Sequence, residues 1–229
     1  MIIHTPGSVK KFIDPNRAYL GLEVIDKATV VTYRDNMEAS LCDQYGATVV
    51  NNGKKHNSEK MYDVCKYIID NPDIIKDYVC IIDCNDVIIH NEDIDKMISG
   101  GYDLYISHYY RMNEIYLMRG AFVNSGCIFG NKKAMLKFAE VYTAVYKMSS
   151  GHHFDEGLVA AAILTIMCEL KINVSNDYIK TINIINLKDE YMKYKHIFVD
   201  GTEKQIYEID KQFGFNVARY KHDGRILKI

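Results

Sequence analysis

The stretch YVCIIDCNDVIIH, residues 78–90, runs from an apolar segment straight into two carboxylates, Asp83 and Asp86. Two carboxylates three positions apart can converge on one divalent cation, and such a cation can bridge the oxygens of a diphosphate. A hard, all-oxygen set of this kind suits Mn2+ or Mg2+. Taken alone, the same pair also reads as a buried strand followed by a turn cap and a solvated acid, because a D-x-x-D pair is a weak motif.

Three further stretches carry residue types that could join this chemistry. VNSGCIFGNKKAM, residues 123–135, places Asn124, Ser125 and Gly126 between two apolar runs. Small residues at such a point let a backbone approach a sugar closely, and they also make an ordinary hairpin turn. HHFDEGL, residues 152–158, puts Asp155 and Glu156 at the start of a helix, where the helix dipole favours acids in any case. HIFVDGTEK, residues 196–204, supplies His196, Gly201 and Lys204. A neutral imidazole can ligate a metal, the glycine lets the backbone close over a phosphate, and the lysine can neutralise it. The plain alternative is a surface loop entering a helix.

The elements that must position these groups follow from periodicity and turn signals. Residues 28–33 form a β-branched strand, and 47–51 a second one. Between them, residues 35–46 read as a helix that ends at Gly46. A helix opens at Ser58 and Glu59, apolar at Met61, Val64, Cys65 and Ile68, and stops at the NPD of 71–73. The quoted segment is the third strand, near-continuously apolar as a strand covered on both faces should be. A short helix over 92–98 leads to a strand within 101–110. Residues 119–135 read as strand, tight turn, strand and helix start. Met135, Phe138, Val141, Tyr142 and Val145 recur at helical spacing, and a further helix covers 155–168. Short strands are expected within 178–187, and a helix near 203–213. This alternation predicts an α/β fold with a mixed, mainly parallel central sheet and a single domain over 1–229, flanked by an N-terminal extension (1–27) and a C-terminal tail (215–229). In open sheets of this class, ligands bind beyond the carboxyl ends of the strands, where Asp83 and Asp86 stand.

Composition narrows the classes. With 229 residues, 48% hydrophobic and 25% charged, the chain can bury a proper core. A formal net charge of -2 gives no basic field for nucleic acid. Six cysteines, at 42, 65, 80, 84, 127 and 168, are scattered singly with no C-x-x-C. They suggest a reducing compartment and no disulfide framework. The N-terminus lacks the pattern of a signal peptide, and no apolar run could span a bilayer. The expectation is a soluble cytoplasmic protein, and its richness in Asn, Ile, Lys and Tyr suggests an AT-rich genome.

In their order along the chain, these pieces resemble the GT-A glycosyltransferases, most closely the collagen glucosyltransferase domain of the procollagen lysyl hydroxylases. The family's strand ending in D-x-x-D-V is matched by Asp83, Asp86 and Val87, and its upstream loop lysine by Lys60. Its N-S-G segment is matched by Asn124, Ser125 and Gly126, its acidic pair by Asp155 and Glu156, and its closing histidine, glycine and lysine by His196, Gly201 and Lys204. The resemblance spans roughly residues 28–214. It implies a Rossmann-like GT-A fold and a UDP-sugar donor bound with Mn2+ (or Mg2+) held by Asp83, Asp86 and His196. Thr32 and Tyr33 would lie near the uracil and ribose. Lys60 and Lys204 would face the diphosphate, and Asp155, Glu156 and Asn124 the sugar and its acceptor. It implies transfer of a hexose, glucose or galactose, with retention, to a hydroxyl of a glycan or protein.

The chain departs from the pattern in places. Its loop reads NNGKKHNSE over 51–59 instead of being glycine-rich. The interval from His196 to Gly201 is longer than the family's, so Asp200 stands as an alternative third ligand. The acidic pair is Asp-Glu in place of Asp-Asp, and no hydroxylase half is present. Two other classes fit parts of the pattern: a nucleotidyltransferase acting on a sugar phosphate, and a silent scaffold of the same fold. The segment from 215 onward offers an edge through which a second copy would pair as a homodimer.

Overall fold

The computed structural model describes residues 2–4, 23–34, 41–51, 53, 55–84, 87–108, 122–149, 155–175 and 177–181. Asp86, His196, Asp200, Gly201 and Lys204 lie outside the described residues, as do the helix expected near 203–213 and the tail from 215.

The sheet is built around the strand that ends in Asp83. Strand β1 is Ile2–His4, β2 is Ala28–Arg34 and β3 is Thr48–Asn51, with helix α1 over Asn57–Asp70. Strand β4 follows at Tyr78–Asp83, then the short β5 (Val87–Ile88), helix α2 (Asn91–Gly100) and β6 (Leu104–His108). The rest comprises β7 (Val123–Asn131), α3 (Lys132–Met148), α4 (Asp155–Ile166), β8 (Ile172–Val174) and β9 (Ile179–Thr181). Six strands form the main sheet in the order β3-β2-β4-β7-β6-β8. Strands β3, β2 and β4 are mutually parallel, β7 runs antiparallel to both β4 and β6, and β8 is parallel to β6. The result is a mixed α/β sheet in which parallel pairings predominate.

Period-two alternation divides β4 between two cores. Val79 and Ile81 point into a cluster with Val64, Ile68, Phe138, Tyr142 and Ile163 from the three helices α1, α3 and α4. Cys80 and Ile82 point the other way, toward Tyr45, Ile89, Ile94, Met97 and Phe129. Both faces are therefore covered, which is why the segment is apolar at successive positions. Helix α1 closes at Asn71, whose backbone N–H donates to Tyr67 O at 3.1 Å, just ahead of Pro72 as the sequence predicts. Helix α3 is capped by Asn131, whose side-chain oxygen accepts from the Ala134 N–H at 2.8 Å.

Two expectations are corrected by the structure. Residues 123–131 are one strand, not two joined by a turn at Asn124-Ser125-Gly126. Each side of the segment already has a partner, β4 on one edge and β6 on the other, so it has no need to fold back on itself. The residues expected to end the first helix form a short 3-10 turn, Leu41–Tyr45, closed by Gly46 at φ 65°; residues 35–40 lie outside the described set. The N-terminal extension contributes β1, which pairs antiparallel with β5 and parallel with β9 in a small second sheet. Among the described residues, no helix is long and apolar enough to cross a membrane.

Candidate functional site at the strand ends

The carboxyl ends of β2 and β4, the amino end of β7 and the first turns of α1 and α4 supply the groups of the site. Along β2, alternation separates two residues that the sequence groups together. Thr32 is fully buried, and its hydroxyl donates to the Ile82 carbonyl at 2.6 Å, tying β2 to β4. Tyr33 is half-buried, and its phenol donates to Asp83 Oδ1 at 3.0 Å. Tyr33 and Asp83 are register partners across the parallel pair, so the ladder itself fixes this contact. Lys60, in the first turn of α1 and only 7% exposed, places its Nζ 4.8 Å from the centroid of the Tyr33 ring. The quadrupole of the ring attracts the ammonium and holds it on the Asp83 side of the helix. Tyr142 secures the start of α1 from below, its hydroxyl donating to Ser58 O at 3.1 Å.

A slip in the ladder aims the second half of the site. Between β6 and β7 the pairing is Ile106 with Ile128, then His108 with Val123, so β7 carries three more residues across this step than β6 does. The surplus falls on Asn124, Ser125 and Gly126. Asn124 is 2% exposed, and its side-chain oxygen accepts from the Gly126 N–H at 3.0 Å, bracing the irregular backbone. Irregularities of this kind re-aim side chains at strand ends. Ser125 donates to Asp155 Oδ2 at 3.0 Å, joining β7 to the first residue of α4.

Asp155 is itself buried, and its surroundings set its charge. Burial, then the hydrogen bond and charge of Glu156, and more weakly the charge of Asp83, push its carboxyl up to about 9, although the Ser125 hydroxyl pulls the other way. This favours the protonated carboxyl at neutral pH, with Asp155 and Glu156 sharing a hydrogen bond in the first turn of α4.

No protein-family model matches the chain, and no curated protein matches it.

Of the sequence-selected residues, the structure brings together Tyr33, Lys60, Asp83, Ser125 and Asp155, linked as Lys60–Tyr33–Asp83 and Ser125–Asp155. Asn124 and Gly126 shape the backbone beneath them, Thr32 locks the strands, and Glu156 stands beside Asp155 in the first turn of α4. The remaining selected positions, Asp86, His196, Gly201 and Lys204, are outside the described residues. Among the described residues, no three His, Cys, Asp or Glu side chains cluster as a metal site. A separate groove of about 690 Å3, lined by Asp93, Asp95, Lys96 and Tyr178 among others, shares no residue with the strand-end cluster. Sequence reasoning missed the group around Arg34, where its guanidinium pairs with Asp43 and approaches Cys42 Sγ at 3.6 Å. The only signal was a basic residue one position beyond Tyr33.

Proposed function

We propose that the chain is a glycosyltransferase of GT-A type that moves a hexose from a UDP-sugar to a hydroxyl acceptor. The observation that carries this reading is the chain of contacts Lys60–Tyr33–Asp83 at the carboxyl ends of two parallel strands. It sets a cation and an anionic oxygen ligand side by side where an α/β sheet binds nucleotides. The ordered likeness of the motifs from Lys60 to Asp155 to those of the collagen glucosyltransferases supports the donor class.

In this reading Asp83, with Asp86 and either His196 or Asp200, would hold Mn2+ or Mg2+, and the bound cation would supply neutralising charge to the diphosphate. The Tyr33 phenol fixes the Asp83 carboxylate at the end of β4 by donating to Oδ1. Lys60 brings positive charge that is already desolvated and held by the Tyr33 ring, so it needs little reorganisation as the diphosphate departs. Asp155, its carboxyl raised by burial and by Glu156 and oriented by Ser125, would face a sugar or acceptor hydroxyl. The departing phosphate can accept the proton of the acceptor, so no strong base is required.

Thermal unfolding in the presence of UDP, UDP-glucose, UDP-galactose, ADP and GDP, each with and without Mn2+, tests the proposal. At a hundred times its Kd a ligand stabilises by about 2.7 kcal/mol, roughly 5–10 °C in Tm for a chain of this size. A rise confined to uridine nucleotides with Mn2+ is expected. No rise with any nucleotide would sink the proposal in favour of a silent scaffold. A rise only with a nucleoside triphosphate and a sugar phosphate would replace it by nucleotidyl transfer.

A further inference from the structure

We propose that Cys42 and Cys84 are a redox-active pair, closing into a reversible disulfide that pins the turn after β4 to the 3-10 turn of Leu41–Tyr45. Their sulfurs lie 2.8 Å apart, in direct contact, with either thiol able to donate to the other. The Cys42 N–H also donates to the Cys84 carbonyl at 3.2 Å, so the two backbones lie against each other. The Arg34 guanidinium, its side chain 10% exposed and anchored to Asp43, places positive charge 3.6 Å from Cys42 Sγ. Thiols that react are found in electropositive surroundings of this kind.

The pair also differs in access. Cys84 is half-buried, whereas Cys42 is fully buried, so Cys84 is the one an oxidant would meet first. The other cysteines do not combine these features. Cys80 and Cys127 touch each other but are sealed within the sheet core, Cys65 is sealed beneath α1, and Cys168 is exposed beyond α4. With glutathione disulfide as oxidant, the Cys84 sulfur attacks one glutathione sulfur and releases the first glutathione thiol. The Cys42 sulfur then attacks Cys84 Sγ and releases the second. One S–S bond breaks and one forms, and the two protein thiol protons end on the two glutathione thiols. If the proposed function holds, on which this consequence alone rests, the bond constrains the chain directly after Asp83.

The test is a thiol count on the full chain equilibrated with glutathione disulfide, then denatured and alkylated, with the mass read intact and the cross-link mapped by non-reducing digestion. The expected result is two alkylatable thiols fewer than the six of the sequence, a peptide joining Cys42 to Cys84, and full recovery with dithiothreitol. In Cys42→Ser, Cys84 should stop at the glutathione adduct, since nothing resolves it. Six thiols retained, or losses that map to Cys168 or to Cys80 and Cys127, would overturn the proposal. The readout involves no nucleotide, so it stands or falls apart from the transferase reading.

Discussion

Asp155 starts a helix, where the dipole normally stabilises a carboxylate, yet burial and Glu156 outweigh the dipole and raise its pKa to about 9. Between the unfolded value of 3.8 and that folded value, the native state keeps a proton that the unfolded chain has released. Stability therefore falls as pH rises through this window, by at most about 1.4 kcal/mol per pH unit for one proton. Asp155→Asn keeps an acceptor for Ser125 and removes the titration. It should flatten the decline between pH 5 and 9 seen in urea titrations, and should stabilise the protein by roughly 1–3 kcal/mol at pH 8. An unchanged slope would mean that Asp155 is ionised in the fold. At Asp83 the expectation is the reverse: Asp83→Asn retains the Tyr33 bond and so the fold, but should abolish the Mn2+-dependent response to UDP. A mutant that keeps the full response would remove Asp83 from the site. Asp83 and Asp155 were legible in the sequence because each sits at an element end that periodicity locates, whereas Lys60 stood out only through the family resemblance. The Cys42–Cys84 pair was not, because the two residues are far apart along the chain and become neighbours only when the turn before β3 packs on the end of β4.

Strand β7 illustrates what periodicity cannot decide. Two apolar runs separated by Asn124-Ser125-Gly126 describe a hairpin and a single slipped strand equally well, because the two differ in partners and not in pattern. The partners are β4 and β6, which lie on opposite edges of it. That central place also constrains its other end. A Cβ added at Gly130 would meet the Asp103 carbonyl at 2.8 Å and Met135 side-chain atoms at 3.2 Å, where α3 begins to pack on the sheet. Backbone cannot yield as a side chain can, so Gly130→Ala should cost about 2–3 kcal/mol in chemical denaturation. Gly101 ends α2 at φ 72° with open space around it, so Gly101→Ala carries only the left-handed strain, about 1 kcal/mol. If the two substitutions prove equal, or their order inverts, the close seat of β7 against Asp103 is wrong.

At the scale of the molecule, the sheet has helices α1, α3 and α4 on one face and a second apolar layer on the other, built from α2, the 3-10 turn and β9. Adjacent residues of β4 sample the two layers: Ile81 faces the helices, Ile82 faces the second layer, and each is 1% exposed. If both layers are true cores, Ile81→Ala and Ile82→Ala should each lose about 2–5 kcal/mol, while Ile74→Ala, at a residue 65% exposed, should stay within about 0.5 kcal/mol. Urea unfolding followed by circular dichroism reads all three. A near-neutral Ile82→Ala beside a costly Ile81→Ala would leave the second face of the sheet open to ligands. The two-sided result matters for function because it closes both broad faces of the sheet. Among the described residues, the strand ends of β2, β4 and β7 then carry the groups of the site, the half-buried Tyr33 and Asp83 and the buried Ser125, with Lys60 and Asp155 arriving from α1 and α4.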